Sequence, residues 1–234
     1  MITIEDQVRE FYGDLKFPGP YKLSDFDVYD QVMLNPFLKP YDVVADKATR
    51  ILDIGCGSGF ISNLLAYRHP DCHIDAVDFS DSLDYAQNFA IKEKLQNINY
   101  FKQNFLSYTT SNKYDVVISN GVLHHMPDYK LAIKMIDQLL KPNGTLVVGL
   151  YNNWGKLAKR FFKPHYVNDI LYQDQELVPF ELTFSSADAQ NLFKQYKLVN
   201  AYPGIGKQFI DFLNLFNYNN GGLTIYTFQK NLIL

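Results

Sequence analysis

The segment RILDIGCGSGF, residues 50–60, runs from a short apolar stretch into a turn with glycine at positions 55, 57 and 59. The apolar stretch predicts a buried strand, and Ile61, Leu64 and Leu65 follow at helical spacing. Glycine permits the tight turn and lets a ligand approach the backbone closely. The segment therefore predicts a strand, a turn and a helix, with a ligand at the carboxyl end of the strand.

Strands and helices continue to alternate after this turn. The predicted strands are 50–54, 73–77, 98–102, 114–119, 145–150, 198–202 and 223–229, and helices are predicted at 80–95, 129–140 and 185–196. Such alternation is typical of a parallel sheet covered on both faces, a doubly wound α/β fold. About 20 residues separate the last two strands, too few for a helix-covered crossover with a second full unit. The final pair is therefore predicted to be antiparallel.

The chain of 234 residues suits one domain with a substantial core. Residues 1–48 contain four prolines, which limit them to short helices, predicted from about Glu5 to Leu15 and from about Tyr29 to Leu38. This segment is either a packed arm or an aromatic lid over a ligand. The predicted parts of the single domain are 1–48 as N-terminal lid or substrate segment, 49–151 as cofactor-binding core, 152–184 as an insertion, and 185–234 as terminal helix and strand pair.

Composition argues against several classes of protein. The formal net charge of -3 argues against a general polyanion binder, so no nucleic-acid partner is expected. Cys56 and Cys72 are too few for a disulfide framework, and no Cys/His cluster has metal-ligand spacing. The N-terminus lacks the apolar region of a signal peptide, and no apolar run approaches about 18 residues. We expect a cytoplasmic protein with no metal and no membrane partner; the sequence does not indicate an oligomeric state.

Two classes of ligand compete for the glycine turn. Dinucleotides use the spacing G-x-G-x-x-G, but position 60 is Phe. Asp53 would repel a pyrophosphate, whereas it suits an ammonium group. The methionine end of S-adenosylmethionine offers an ammonium to Asp53 and a carboxylate to the amides that begin the helix. The spacing therefore favours S-adenosylmethionine and argues against an NAD-dependent oxidoreductase.

Further candidates follow the next two predicted strands. Asp78 stands about 20 residues after the turn, where a carboxylate accepts hydrogen bonds from both ribose hydroxyls. Gln103 or Asn104 would read the adenine edge. Phe79 or Phe105 would pack on the adenine ring.

Four segments carry a resemblance to a known family. They are ILDIGCGSGFISNLLA (51–66), AVDFS (76–80), YDVVISNGVLHHMPD (114–128) and LLKPNGTLVVGLY (139–151). In these segments the chain resembles the class I S-adenosylmethionine-dependent methyltransferase superfamily, most closely its small-molecule branch. The resemblance implies a Rossmann-like methyltransferase fold of seven strands, the last antiparallel, and S-adenosyl-L-methionine as cofactor. It also implies methyl transfer to an O, N or C atom of a small-molecule acceptor.

The resemblance and the residues together define a predicted site. Many relatives carry Asp where Asn104 stands, and Cys56 is interpreted as a small packing residue of the turn. His124 and His125 are either structural or one of them removes a proton from the acceptor. Tyr12 and Tyr21 would shape the acceptor pocket. The predicted cofactor-binding residues are Asp53, Gly55, Cys56, Gly57, Gly59, Asp78, Phe79, Asn104, Phe105 and Asn120.

Other functions stay open at this point. An RNA or protein methyltransferase is disfavoured because Ser119-Asn120-Gly121-Val122 replaces the Asn/Asp-Pro-Pro-Tyr motif of many nucleic-acid aminomethylases. A non-catalytic subunit that binds S-adenosylmethionine is the other alternative. The basic cluster at 156–163 either forms a solvated helix face or attracts an acidic substrate or a phosphate.

Overall fold

A computed structural model describes residues 3–15, 19–27, 37–162, 178–217 and 222–231. Its centre is a seven-stranded sheet in the order β3-β2-β1-β4-β5-β7-β6. The strands are β1 (Arg50–Ile54), β2 (His73–Asp78), β3 (Ile98–Lys102), β4 (Tyr114–Asn120), β5 (Leu140–Tyr151), β6 (Tyr196–Tyr202) and β7 (Leu223–Lys230). β7 lies between β5 and β6 and pairs antiparallel with both, while the β1–β2, β1–β4, β2–β3 and β4–β5 pairs are parallel. The predicted doubly wound fold with an antiparallel final strand is confirmed.

Nine helices are described in this part of the chain. They are α1 (Ile4–Leu15), α2 (Leu23–Asp27), α3 (Lys39–Ala45), α4 (Phe60–Arg68), α5 (Ser82–Lys92), α6 (Tyr129–Leu139), α7 (Asn153–Phe162), α8 (Ser186–Leu192) and α9 (Ile210–Asn214). Short 3₁₀ turns at Phe105–Ser107 and Leu123–His125 follow β3 and β4. In the described ranges, no helix combines the length and the apolar character that crossing a membrane requires.

Neighbouring residues of the central strands pack against opposite faces of the sheet, as the two-residue period of a strand requires. Leu52 and Ile54 belong to the core under α6 and α8, whereas Ile51 belongs to the core under α3 and α4. All three are fully buried. Burial on both faces explains why the sequences of these strands are continuous apolar runs and do not alternate between apolar and polar residues.

Several boundaries differ from the predictions, and the reasons are local. α3 was not predicted because Pro40 breaks a helical pattern, but Pro40 lies in the first turn, where its missing N–H needs no partner. The predicted helix from Tyr29 to Leu38 falls mostly outside the described residues, at 28–36. The capping box is confirmed: the Ser185 hydroxyl accepts from the Asp188 backbone N–H, and the Asp188 carboxylate accepts from Ser185. α8 ends at Leu192, earlier than predicted.

The predicted insertion contains α7, and its end returns to the sheet. The backbone N–H of Phe184 donates to the Tyr151 carbonyl (2.9 Å), and that of Leu182 donates to the His124 carbonyl (2.8 Å). Leu182 and Phe184 therefore lie along the 3₁₀ turn after β4 and the carboxyl end of β5. The division into core, insertion and terminal unit stays a prediction.

Candidate cofactor and acceptor site

The glycine turn is held from two sides. The backbone N–H of Gly55 donates to the Val77 carbonyl at 2.7 Å, and a Cβ at Gly55 would overlap the Val122 side chain. Gly55 and Gly57 have φ of 67° and 55°, a region that glycine enters without steric penalty. The turn therefore requires glycine, and its backbone lies against β2 and the segment after β4.

Asp53, the last polar residue before the turn, is buried and accepts a hydrogen bond from the Ser62 hydroxyl. Burial, the largest effect, and the nearby Asp78 carboxylate together raise the pKa of Asp53 to about 7, while the Ser62 hydrogen bond opposes them. When the pKa of a buried carboxyl group is near 7, an adjacent cation strongly stabilises its charged form. Ser62 was not predicted, although it stands nine residues after Asp53 on α4.

Asp78 ends β2 and connects that strand to the turn. Its Oδ2 accepts from the backbone N–H of Gly57 (2.8 Å), and its Oδ1 accepts from the backbone and hydroxyl of Ser80 (2.8 and 2.7 Å). Burial raises the pKa of Asp78, while these bonds oppose the change. A carboxylate has about four acceptor positions, two on each oxygen, so Ser80 fills Oδ1 and one position remains on Oδ2 for a hydroxyl donor.

A cavity of about 570 Å³ lies at the carboxyl edge of the sheet. Cavities of this size commonly hold small ligands. All but two of the predicted site residues line this cavity. The predicted residues that line it are Tyr12, Tyr21, Asp53, Gly55, Cys56, Gly57, Asp78, Phe79, Asn104, Phe105, Asn120 and His125.

Gly59 and His124 are the two predicted residues that do not line the cavity. A Cβ at Gly59 would overlap Ala86, so this glycine lets α4 approach α5 closely. The His124 ring is fully buried, with centroids 4.1 Å from the Tyr151 ring and 4.2 Å from the His125 ring. Burial, followed by the nearby His125 and Lys156, lowers the pKa of His124 well below its ordinary value. Both positions point to packing roles.

His125 faces the cavity in a defined tautomer. Its Nδ1 lies 2.8 Å from the Phe180 carbonyl, which only accepts, so Nδ1 carries the hydrogen. In the neutral ring the lone pair is then on Nε2. The Tyr12 ring of α1 lies 5.7 Å from the His125 ring between centroids. Of the two predicted histidines, His125 is the one that lines the cavity, but its Nε2 is buried, so it would reach an acceptor only after a change in the cavity wall.

Tyr21 lines the cavity, but its hydroxyl is engaged in the protein. It donates to the Ser58 carbonyl (2.7 Å) and accepts from Asn63 Nδ2 (2.7 Å). The Tyr85 hydroxyl binds the Tyr21 backbone, and the Tyr100 hydroxyl donates to Asn63 Oδ1 (2.6 Å). This buried cluster ties the N-terminal segment to the glycine turn. Asn63, Tyr85 and Tyr100 were not predicted, because they come from distant parts of the chain.

Two amides complete the cavity wall. Asn104 donates from Nδ2 to Glu5 Oε2 (3.2 Å), which joins α1 to the end of β3. Asn120 ends β4, and its Oδ1 is buried without a hydrogen-bond partner among the residues that the structure describes. A buried acceptor of this kind is costly unless a ligand donates to it.

The charge of the cavity wall is acidic. Glu5, Asp25, Asp53 and Asp78 line it, and the described part of the wall contains no Lys or Arg. Such a wall favours a ligand with positive charge. No group of three or more metal-ligating side chains occurs within the described ranges.

Comparisons with known proteins agree with this geometry. A family model described as "Methyltransferase domain" matches residues 45–199. The chain is 35% identical over 124 residues to a ubiquinone biosynthesis O-methyltransferase of Coxiella burnetii, covering 51% of this chain and 52% of that protein. It is 29% identical over 134 residues to a malonyl-[acyl-carrier protein] O-methyltransferase of Acetivibrio thermocellus, covering 56% and 46%. The chain thus spans about half the length of these curated relatives.

A solved structure shares the fold over its whole length. The magnesium protoporphyrin IX methyltransferase of Synechocystis PCC 6803, crystallised with bound SAM, superposes with a TM-score of 0.64 at 15% identity. The superposition covers 99% of this chain and 99% of that chain.

Proposed function

Because the chain belongs to the methyltransferase domain family, we propose that it is an enzyme that transfers the methyl group of S-adenosyl-L-methionine to an O, N or C atom of a small-molecule acceptor. The bound cofactor supplies an activated methyl group on a sulfonium. The protein has to hold the acceptor in line with that methyl group and remove a proton where the acceptor carries one.

The observation that carries the proposal is the pair of acceptors beside the glycine turn. Asp53 is a buried carboxylate, and Asn120 Oδ1 is a buried acceptor without a protein donor in the described part of the chain. An ammonium group supplies both the charge and the hydrogen bonds that these two side chains lack. The backbone N–H groups of the turn glycines already donate within the protein, so a carboxylate would take the N–H groups that begin α4. The residues present therefore fit the amino-acid end of the cofactor.

The adenosine end fits the neighbouring strands. Asp78 would accept a hydrogen bond from a ribose hydroxyl at Oδ2, and from the second hydroxyl if a bond with Ser80 is exchanged. The half-buried Phe79 and the buried Phe105 offer faces for the adenine ring. Asn104 would read the adenine edge once its bond with Glu5 is exchanged. Gly59 is left out of this cofactor site because it packs α4 against α5.

The acceptor would occupy the part of the cavity between α1 and the ends of β4 and β5. Tyr12, His125, Met126, Tyr151 and Leu223 line that part, so it suits a largely apolar or aromatic molecule. His125 would accept the proton of a hydroxyl or amine at Nε2, and the Phe180 carbonyl would hold the imidazolium through Nδ1–H. Tyr21 positions the wall and does not reach the reacting atoms. We infer a cytoplasmic location, which the two free thiols fit.

The direct test is the release of S-adenosylhomocysteine from S-adenosylmethionine with a panel of phenols, carboxylic acids and amines. We expect acceptor-dependent release by the wild-type protein and loss of release in the Asp78→Asn variant. The matched control is Asp71→Asn, an exposed carboxylate outside the cavity. Cofactor binding without release for any acceptor, RNA or protein substrate would instead indicate a non-catalytic subunit.

A further inference from the structure

One face of α1 forms part of the cavity wall. Glu5, Val8 and Tyr12 line the cavity, and their spacing of three and four residues places them on the same side of the helix. The end of α1 is bound to α5, because the Tyr12 backbone carbonyl accepts from the Ser82 hydroxyl at 2.8 Å. The helix therefore presents one carboxylate, that of Glu5, to the cavity.

Asn104, the partner of Glu5, has a defined amide orientation. Its Oδ1 accepts from the backbone N–H of Leu106 at 2.9 Å and caps the 3₁₀ turn that begins at Phe105. Because a backbone N–H only donates, the amide atom beside Leu106 is the oxygen, and the other atom is Nδ2. Nδ2 donates to Glu5 Oε2 at 3.2 Å. The amide therefore turns its donor toward Glu5 and uses its oxygen within the protein.

The edge of adenine offers a donor and an acceptor side by side, since its 6-amino group donates and its ring N1 accepts. The Nδ2 of Asn104 is the donor that suits N1. The matching acceptor for the amino group is less available on Asn104, because its Oδ1 already caps the turn. Glu5 offers that acceptor, since a carboxylate has about four acceptor positions. Glu5 and Asn104 together therefore complement the adenine edge.

We propose that Glu5 is a specificity residue for the cofactor: its carboxylate accepts from the adenine 6-amino group while Asn104 Nδ2 donates to N1. When the base enters, these two contacts replace the bond between Asn104 and Glu5. The inference rests on the proposed binding of S-adenosylmethionine. It adds a residue of α1 to a cofactor site that otherwise consists of the carboxyl ends of strands and the segments after them.

A 6-oxo purine reverses both positions of this edge. In S-inosylhomocysteine the 6-oxygen accepts and N1 carries a hydrogen, so Glu5 faces a lone pair and Asn104 Nδ2 faces a donor. The ribose contact with Asp78 keeps the base from shifting to a better register. Polar groups left without their bonds lower the affinity by about 10–100-fold. The wild-type protein should therefore prefer S-adenosylhomocysteine to S-inosylhomocysteine by about that factor.

Calorimetric titration of wild type and the Glu5→Gln variant with both ligands tests the inference. We expect the ratio of the two affinities to fall by about tenfold in Glu5→Gln, because a side-chain amide can turn either a donor or an acceptor toward the base. The control Glu10→Gln removes the same charge from an exposed position of α1 outside the cavity and should keep the wild-type ratio. The double variant Glu5→Gln, Asn104→Asp returns a carboxylate to the adenine edge and should recover the preference.

The affinity ratio separates recognition of the base from other roles of Glu5. Equal thermal unfolding midpoints establish that wild type and variants are folded. If Glu5 only connects α1 to Asn104, Glu5→Gln weakens both ligands equally, and this unchanged ratio would overturn the inference. Unchanged affinities with a raised KM for the acceptor would assign Glu5 to the acceptor and overturn it as well. A wild-type protein that binds neither ligand would contradict the proposed function itself, whereas the other two results contradict the role of Glu5 alone.

Discussion

The backbone N–H of Gly57 donates to Asp78 Oδ2 at 2.8 Å, so the glycine turn after β1 and the carboxylate that ends β2 form one hydrogen-bonded unit. Gly57 and Asp78 are 21 residues apart in the sequence, but β1 and β2 are parallel neighbours in register up to Ile54 and Val77. The pairing of β1 with β2 therefore positions the two halves of the predicted cofactor site relative to each other in the absence of a ligand.

Replacing Asp78 by Asn tests this unit. The Asp78→Asn variant keeps one acceptor oxygen but loses the negative charge. Its amide NH₂ group replaces an oxygen that accepts a hydrogen bond in the wild-type protein. We expect the affinity for S-adenosylhomocysteine to fall by about 10–100-fold, the size of one or two hydrogen bonds to a charged group. Isothermal titration calorimetry measures the effect, with Asp71→Asn as the control that should bind like wild type. Equal affinities of the two variants would remove Asp78 from the ribose site.

The pH dependence of cofactor binding follows from Asp53. Burial raises its pKa to about 7, so Asp53 becomes neutral as the pH falls through that value and no longer attracts an ammonium. We expect the affinity to fall by up to about tenfold per pH unit below pH 7, since one proton is involved. Calorimetry between pH 5.5 and 8 provides the data. The Asp53→Asn variant should bind more weakly at pH 8 and show a flatter profile; an unchanged slope would assign the titration to another group.

Substitutions of the two histidines should cause different defects, one in turnover and the other in stability. His125→Gln removes the predicted base and should lower turnover by about 10²–10⁴-fold with little change in cofactor affinity. His124→Ala instead leaves a cavity beside Tyr151 and should lower the free energy of unfolding by about 2–4 kcal/mol. Turnover with an ionisable acceptor and urea unfolding of both variants distinguish these outcomes. A stable His124→Ala variant without turnover would reverse the assignment.

Tyr21→Phe tests a positioning role. The variant removes the donor to the Ser58 carbonyl and the acceptor for Asn63 while keeping the ring. We expect a loss of about 1–3 kcal/mol in the free energy of unfolding. The KM for the cofactor should rise because the turn is less well held, with kcat nearly unchanged. If kcat falls by orders of magnitude at unchanged KM, the Tyr21 hydroxyl acts at the reacting atoms.

Much of this site could be predicted because local patterns encode it. Gly55, Gly57 and Asp78 follow strands whose apolar runs are visible in the sequence, and parallel strands bring their carboxyl ends to one edge. The capping box at Ser185 and Asp188 depends on residues three apart and was predicted for the same reason.

The parts that could not be predicted depend on contacts between distant residues. His124 and His125 are adjacent, and only the fold shows that one ring is enclosed beside Tyr151 while the other lines the cavity. Gly59 resembles the other two glycines of the turn, yet its constraint is Ala86 on α5. The cluster of Tyr21 and Asn63 joins residues 42 apart, so no spacing in the sequence indicates it.

The central claim is that the acidic cavity beside the glycine turn binds the cofactor. Titration of the wild-type protein with S-adenosylhomocysteine in a calorimeter at pH 8 tests it most directly. The predicted result is saturable binding of one molecule per chain, competed by S-adenosylmethionine and not by NAD. A folded protein that gives no heat of binding with S-adenosylhomocysteine at millimolar concentration at any of several temperatures would contradict the claim.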